Sequence, residues 1–237
     1  MTVLDSGGRF GSAGRAKRTR RLIAWGLVAA LAAGGAWAVW FSTVLSVREV
    51  RVLGAVTIST NEVRNAAAVP VAQQLARVDV PGITRRVGSI PQVASVEIRR
   101  GWPDVLVIVV TERKPLAVAR TSVGFTYLDR TGARFGAVTV APRGVPVVVA
   151  SSASALSSAL AVVAALPSTL RATVTTVTAR TYDDVVLALR SGVDVQWGSA
   201  DDSDHKASVL TALLKVPAGF YDVSAPDLPT TRATRLG

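Results

Sequence analysis

The sequence predicts an α+β protein held to a membrane: a single transmembrane helix, then a domain of order β-α-α-β-β, then a mixed β-sheet domain with flanking helices. Three observations lead there. No charged residue occurs from Leu22 to Val47. Short alternating and apolar runs recur downstream, punctuated by glycine and proline. Apolar residues make up 49% of the 237 positions and charged ones only 18%, which excludes wholesale disorder.

The apolar run comes first. As a helix, Leu22–Phe41 would rise about 30 Å, the thickness of a bilayer's hydrocarbon core. Trp25 lies near one end and Trp37 and Trp40 near the other, where indoles favour the headgroup boundary. Arg15, Lys17, Arg18, Arg20 and Arg21 precede the run, so residues 1–21 are expected to form a basic cytoplasmic tail, with the bulk of the chain outside. A cleaved signal peptide is the rival reading, since Ala36-Trp37-Ala38 has small-x-small form, but the run exceeds a usual signal core and bulky indoles surround the cut. Gly26, Ala30, Gly34 and Ala38 recur every four residues, a spacing that would let two such helices approach closely. An alanine-rich composition also produces it by chance.

The net charge of +11 is lopsided. Residues 1–21 carry +5, whereas 45–114 and 115–237 carry +4 and +2. The two folded regions therefore have ordinary mixed surfaces, and no nucleic-acid partner is expected. With no cysteine and one histidine, His205, the chain lacks disulfide frameworks, thiol nucleophiles and paired imidazole ligands. No cofactor is expected.

The first domain spans about 45–114. Val47–Val52 alternates apolar and charged residues as a half-buried strand does, and Gly54 stops it. Ser59-Thr60-Asn61-Glu62 has capping-box spacing and opens a helix that Val69-Pro70 closes. Pro81 opens a second, with Ile83, Val87 and Ile90 on one face. Ala94–Arg99 alternates, Gly101-Trp102-Pro103-Asp104 turns, and Val105–Val110 is a strand. Trp102 reads as cover for the core edge, and Glu112 with Arg113 as an exposed ion pair at a strand end.

Ser89-Ile90-Pro91-Gln92-Val93, Arg100-Gly101-Trp102-Pro103 and Thr111-Glu112-Arg113-Lys114-Pro115-Leu116-Ala117, in this order, resemble the POTRA domain of the FtsQ/DivIB family. Val78-Asp79 is similar to that family's Val-Asp pair, but the usual preceding Gly-x-Pro stands here as Ala72-Gln73-Gln74. The resemblance implies a bitopic bacterial cell-division protein with a short cytoplasmic tail, one membrane helix, a POTRA domain and a second β-rich domain.

That second domain spans about 115–229. Tyr127–Phe135, with Asp129-Arg130-Thr131-Gly132 at its centre, is a strand-turn-strand similar to the family's Leu-Val-Asp-x-x-Gly-x-x-Phe element. Val145–Ala150 reads as a strand, and Leu156, Ala159, Leu160 and Val163 mark a helix ended by Pro167. Strands follow at Val174–Ala179, Val185–Arg190 and Val193–Trp197, the last two joined through Ser191-Gly192. The cluster Ser199, Asp201, Asp202, Asp204 and His205 is read as a helix start capped by Ser199, with Asp202 at the third position, rather than as a metal site.

Phe220-Tyr221-Asp222-Val223 forms the expected last strand, and Thr230–Gly237 a flexible end. In the family such a strand adjoins an edge to which FtsB adds a segment. By resemblance Phe220, Tyr221, Asp222 and Val223 are the partner-binding candidates, through β-augmentation of exposed backbone groups. Pro226 and Pro229 lack donors and would limit the pairing. Period two equally requires some of the four to fill the core.

The resemblance thus implies a non-enzymatic scaffold at the septum that docks FtsB and FtsL and, through them, connects to FtsW and FtsI. It would be a single-pass type II protein of the cell membrane. The alternative is a transport or chaperone module that captures extended polypeptides by the same edge chemistry. An envelope hydrolase would need paired carboxylates or a serine with a base, and neither is legible.

Overall fold

The computed structural model describes residues 23–35, 37 and 45–233. Residues 23–35 are helical and exposed, Gly26, Ala30 and Gly34 among them. Ala38 and the tail 1–21 lie outside the described residues, as does part of the expected span 22–41. Among the described residues no helix is long and apolar enough to cross a membrane.

From residue 45 the chain forms two compact units. One comprises the described residues up to Ala55 with Ser59–Val87 and Val96–Val110; the other comprises Val56–Ile58, Gly88–Ser95 and Thr111 onward.

The predicted β-α-α-β-β order appears as β1 (Glu49–Leu53), α1 (Thr60–Ala67), a 3-10 turn at Leu75–Arg77, α2 (Val80–Gly88), β2 (Val93–Gly101) and β3 (Val105–Glu112), all in the first unit except Gly88, the start of β2 up to Ser95 and the end of β3 from Thr111. The strands form a sheet in the order β1-β3-β2, with β1 parallel to β3. β1 ends at Gly54 because φ is +82° there and a Cβ would fall 2.1 Å from the Val110 carbonyl oxygen. Ser59 caps α1 by accepting the Asn61 amide at 3.3 Å, and Ala68 ends the helix in the left-handed region. Asp79 opens α2 by accepting the Gly82 amide at 3.0 Å.

Alternation along β3 puts Leu106, Ile108 and Val110 into the core, at 0–2% exposure, where Val63, Leu75, Ile83 and Val87 are also buried. Arg100 bridges from β2 to the carbonyls of Leu75 (2.9 Å) and Val78 (3.2 Å), satisfying backbone acceptors outside regular structure. Trp102 departs from expectation. It is 53% exposed, so about half of the residue stands in solvent.

The second unit carries a nine-stranded mixed sheet: β4 (Ala117–Thr121), β5 (Gly124–Leu128), β6 (Arg134–Val138), β7 (Val147–Ala150), β8 (Val174–Ala179), β9 (Val185–Leu189), β10 (Asp194–Gly198), β11 (Phe220–Asp222) and β12 (Thr230–Arg232). Their order is β12-β11-β10-β9-β8-β7-β4-β5-β6. Helix α3 (Ala153–Ala165) makes the crossover between the parallel strands β7 and β8, α4 (Ser168–Arg171) follows it, and α5 (Ser203–Leu213) leads towards β11. Ala159, Leu160, Val162 and Val163 of α3 join Val148, Val177, Leu187, Trp197 and Leu210 in one buried cluster.

Two expectations are corrected here. Thr230–Arg232 is a strand, not a flexible end, while 234–237 lie outside the described residues. Helix α5 starts at Ser203, four residues after the expected cap. Asp202 sits at φ +52° and breaks the helical run, and Ser199 accepts only the Asp201 amide at 3.3 Å. The buried Lys206 ammonium donates to the Ser199 carbonyl at 3.0 Å, and the Trp197 indole N–H donates to the Ser203 hydroxyl at 3.2 Å, fixing the turn ahead of the helix. Burial, the first cause, pushes the Lys206 pKa down from its ordinary value.

Candidate functional site

The candidate strand β11 follows α5 through the turn Val216–Gly219. Tyr221, 2% exposed, fixes that turn: its hydroxyl donates to the Val216 carbonyl at 2.7 Å and accepts the Ala218 amide at 3.1 Å. Val223 is fully buried, and its amide donates to the Gln196 carbonyl at 2.9 Å. Phe220 and Asp222 take the opposite face and are half-buried. The Arg232 guanidinium lies 5.0 Å above the Phe220 ring, a cation–π contact, and Asp222 Oδ1 accepts the Ser224 amide and hydroxyl at 3.0 and 2.6 Å, turning the chain out of the strand.

Both hydrogen-bonding sides of β11 are occupied. It pairs parallel to β10, Tyr221 opposite Val195, and antiparallel to β12, Tyr221 opposite Thr231. The four predicted residues therefore do not form a free edge. Two are core and two face outward. The terminal strand is β12, whose three residues are exposed. A Thr-Thr pair after Pro229 was its only local signal, too short to register as a strand by pattern.

The connection beneath this edge is tight. Gly198 has φ +77°, and a Cβ there would lie 2.9 Å from that of Ser224, so the end of β10 and the exit from β11 pack backbone against side chain. His205 Nδ1 stands 4.0 Å from Asp227 Oδ1, but both side chains are over half exposed and the contact adds little. Among the described residues no group of three or more His, Asp or Glu side chains is placed to hold a metal ion.

Glu112 and Arg113 do not pair with each other, contrary to expectation. Alternation sends them to opposite sides, and each finds its own partner. Glu112 accepts the amides of Val56 (2.7 Å), Thr57 (2.8 Å) and Ile58 (2.9 Å) and the Thr57 hydroxyl (2.5 Å). These hydrogen bonds, Ile58's first and Thr57's hydroxyl next, hold its pKa down to about 2. Arg113 donates to the Pro91 carbonyl at 3.1 Å and to Asp129 at 2.5 Å, and its amide donates to the Gln92 carbonyl at 2.8 Å. These residues organise structure, and nothing about them suits acid–base work.

Comparison with known proteins places these observations in a family. The family model described as POTRA domain, FtsQ-type, matches residues 45–113, and that described as cell division protein FtsQ/DivIB, C-terminal, matches 117–228. The chain is 38% identical over 230 residues to the cell division protein FtsQ of Streptomyces bingchenggensis, covering 91% of this chain and 87% of that one. It is 39% identical over 227 residues to the cell division protein FtsQ of Streptomyces venezuelae, covering 90% and 84%. Among solved structures, the major extracytoplasmic domain of the trans isomer of the cell division protein DivIB from Geobacillus stearothermophilus aligns with a TM-score of 0.35 at 21% identity, over 45% of this chain and 98% of that one.

Proposed function

Because this chain belongs to the FtsQ/DivIB family of cell-division proteins, we propose that it works in division as a non-enzymatic scaffold at the septum, docking the FtsB/FtsL pair and so connecting to FtsW and FtsI. Residues 22–41 anchor it in the cell membrane, with the tail 1–21 in the cytoplasm and the two units outside. One observation carries the docking reading: the nine-stranded sheet ends in β12, an exposed three-residue strand with no neighbour on its outer side among the described residues. Such an edge presents backbone donors and acceptors to an extended segment. The partner strand adds outside β12, and Phe220 and Asp222 supply side-chain contacts from the strand beneath.

Two measurements test this. Binding of the extracytoplasmic segment of FtsB to the purified chain is expected to fall at least tenfold in Thr231→Pro and Arg232→Glu variants that keep their circular dichroism. Unchanged affinity in both would remove β12 from the interface. A fluorescent fusion on the N-terminal tail is expected to form a band at the septum of dividing cells. Uniform envelope fluorescence with normal division after depletion would sink the scaffold reading.

A further inference from the structure

The segment that leads into β1 is clasped at one end of the first unit. Ser46 bridges to Gln74, the Val47 amide donates to the Gln73 carbonyl at 2.8 Å, and the Arg48 amide donates to the Asp104 carbonyl at 2.9 Å. Two structures therefore flank residues 46–48: the turn Pro70–Gln73 and the β2–β3 hairpin tip. Each carries an exposed apolar side chain two positions before the residue that grips the chain. Val71 precedes Gln73 and is 98% exposed; Trp102 precedes Asp104 and is 53% exposed.

Neither exposure is accidental to the fold. The Gln73 amide donates to the Pro70 carbonyl at 3.3 Å while Ala72 sits at φ +60°, the arrangement of a type II turn, which holds Val71 at its apex. At the hairpin, Gly101 lies against Val105, where a Cβ would be 3.4 Å from that of Val105, so the sheet closes without using the indole. Arg48, its side chain 63% exposed, adds a cation between the two tips, with Asp104 4.0 Å away.

We propose that this end of the first unit rests on the bilayer, with Trp102 and Val71 in the headgroup boundary and Arg48 against anionic phosphates. The proposal rests on the reading that residues 22–41 span the membrane. Given that span, only four residues lie between Phe41 and Ser46, a reach over five Cα steps of at most about 17 Å. The polar interfacial layer occupies roughly 5–7 Å on each side of the hydrocarbon core. The clasped end thus cannot leave the vicinity of the lipid. An indole with its N–H free for water or headgroups is the side chain best suited to that boundary. A bilayer accounts for two exposed apolar side chains, Val71 and Trp102, standing on either side of the chain's lead-in segment, whereas Leu53, also exposed, lies at the far end of β1.

The absence of cysteine makes the test direct. The full chain is made with a single Val71→Cys, Trp102→Cys or Leu53→Cys substitution, labelled with an environment-sensitive fluorophore and reconstituted in vesicles of phosphatidylcholine with a minority of phosphatidylglycerol. Leu53, 52% exposed at the far end of β1, is the reference. Headgroup-attached nitroxide is expected to quench the probes at 71 and 102 severalfold more than the probe at 53. If Trp102→Cys misfolds, the Val71 probe alone decides, because that side chain packs against nothing. Protein that floats with vesicles after alkaline washing, yet shows equal quenching at all three positions, overturns the contact and leaves the anchor standing. Protein that does not float overturns the anchor and the contact with it.

Discussion

Arg113 and Asp129, sixteen positions apart, meet at 2.5 Å with side chains only 21% and 10% exposed. Both residues belong to the second unit, where the pair ties Arg113 to the turn between β5 and β6. Asp129 has further donors: the Thr131 amide and hydroxyl at 2.8 and 2.6 Å, and the Ala133 amide at 3.0 Å. Removing the carboxylate leaves the half-buried Arg113 guanidinium with the Pro91 carbonyl as its remaining acceptor and opens the turn. Asp129→Ala is expected to lose about 2–4 kcal/mol of unfolding free energy, measured by denaturant titration.

The same carboxyl predicts a pH dependence. Burial pushes its pKa up, but the Thr131 and Arg113 hydrogen bonds and the amides of Ala133 and Thr131 outweigh this and hold it below the usual aspartate value. A depressed folded pKa means the stabilisation is complete above the unfolded value, near 4, and is lost as pH falls through the folded one. The stability gap between the parent chain and Asp129→Asn should therefore be constant at neutral pH and shrink below about pH 4. A gap independent of pH would contradict the assignment.

Glu112 makes a separable prediction, because its bonds run to the Val56–Ile58 loop. Glu112→Gln keeps the shape but cannot accept from three amides as a carboxylate does. Hydrogen exchange at Val56, Thr57 and Ile58 is expected to accelerate by about tenfold or more, with little change in β5 and β6. In the parent chain those amides should stay protected from neutral pH down towards the Glu112 pKa of about 2.

Ala72 occupies the left-handed region at φ +60°. A Cβ costs roughly 1–2 kcal/mol there, and glycine's extra unfolded-state entropy returns about half of that. Ala72→Gly should stabilise the chain by about 0.5–1 kcal/mol, read as a higher denaturation midpoint.

Gly198→Ala should do the reverse. The added Cβ meets Ser224 at 2.9 Å in a backbone conformation that disfavours side chains. A loss of about 2 kcal/mol is expected, together with weaker exchange protection in β11 and β12.

Much of this fold was legible because local chemistry decides it. The alternation of Val105–Val110, the Ser59 cap and the Ser191-Gly192 hairpin each act within a few residues, so strands, the first helix start and the β-α-α-β-β order follow from pattern. Ordered motifs did the same for the family. What only the tertiary structure decided concerns partners distant in sequence. Glu112 adjoins Arg113 in sequence, but it binds a loop more than fifty positions earlier, and Arg113 binds Asp129. The helix start at Ser203 depends on Lys206 reaching Ser199, which makes the local capping pattern the loser. Tyr221 and Val223 became core and Phe220 and Asp222 surface because one face of β11 packs inward, and period two alone could not say which. The sheet edge next to β11 is β12, three residues long; pairing with β11 makes it a strand, and no isolated three-residue segment carries enough propensity to announce that.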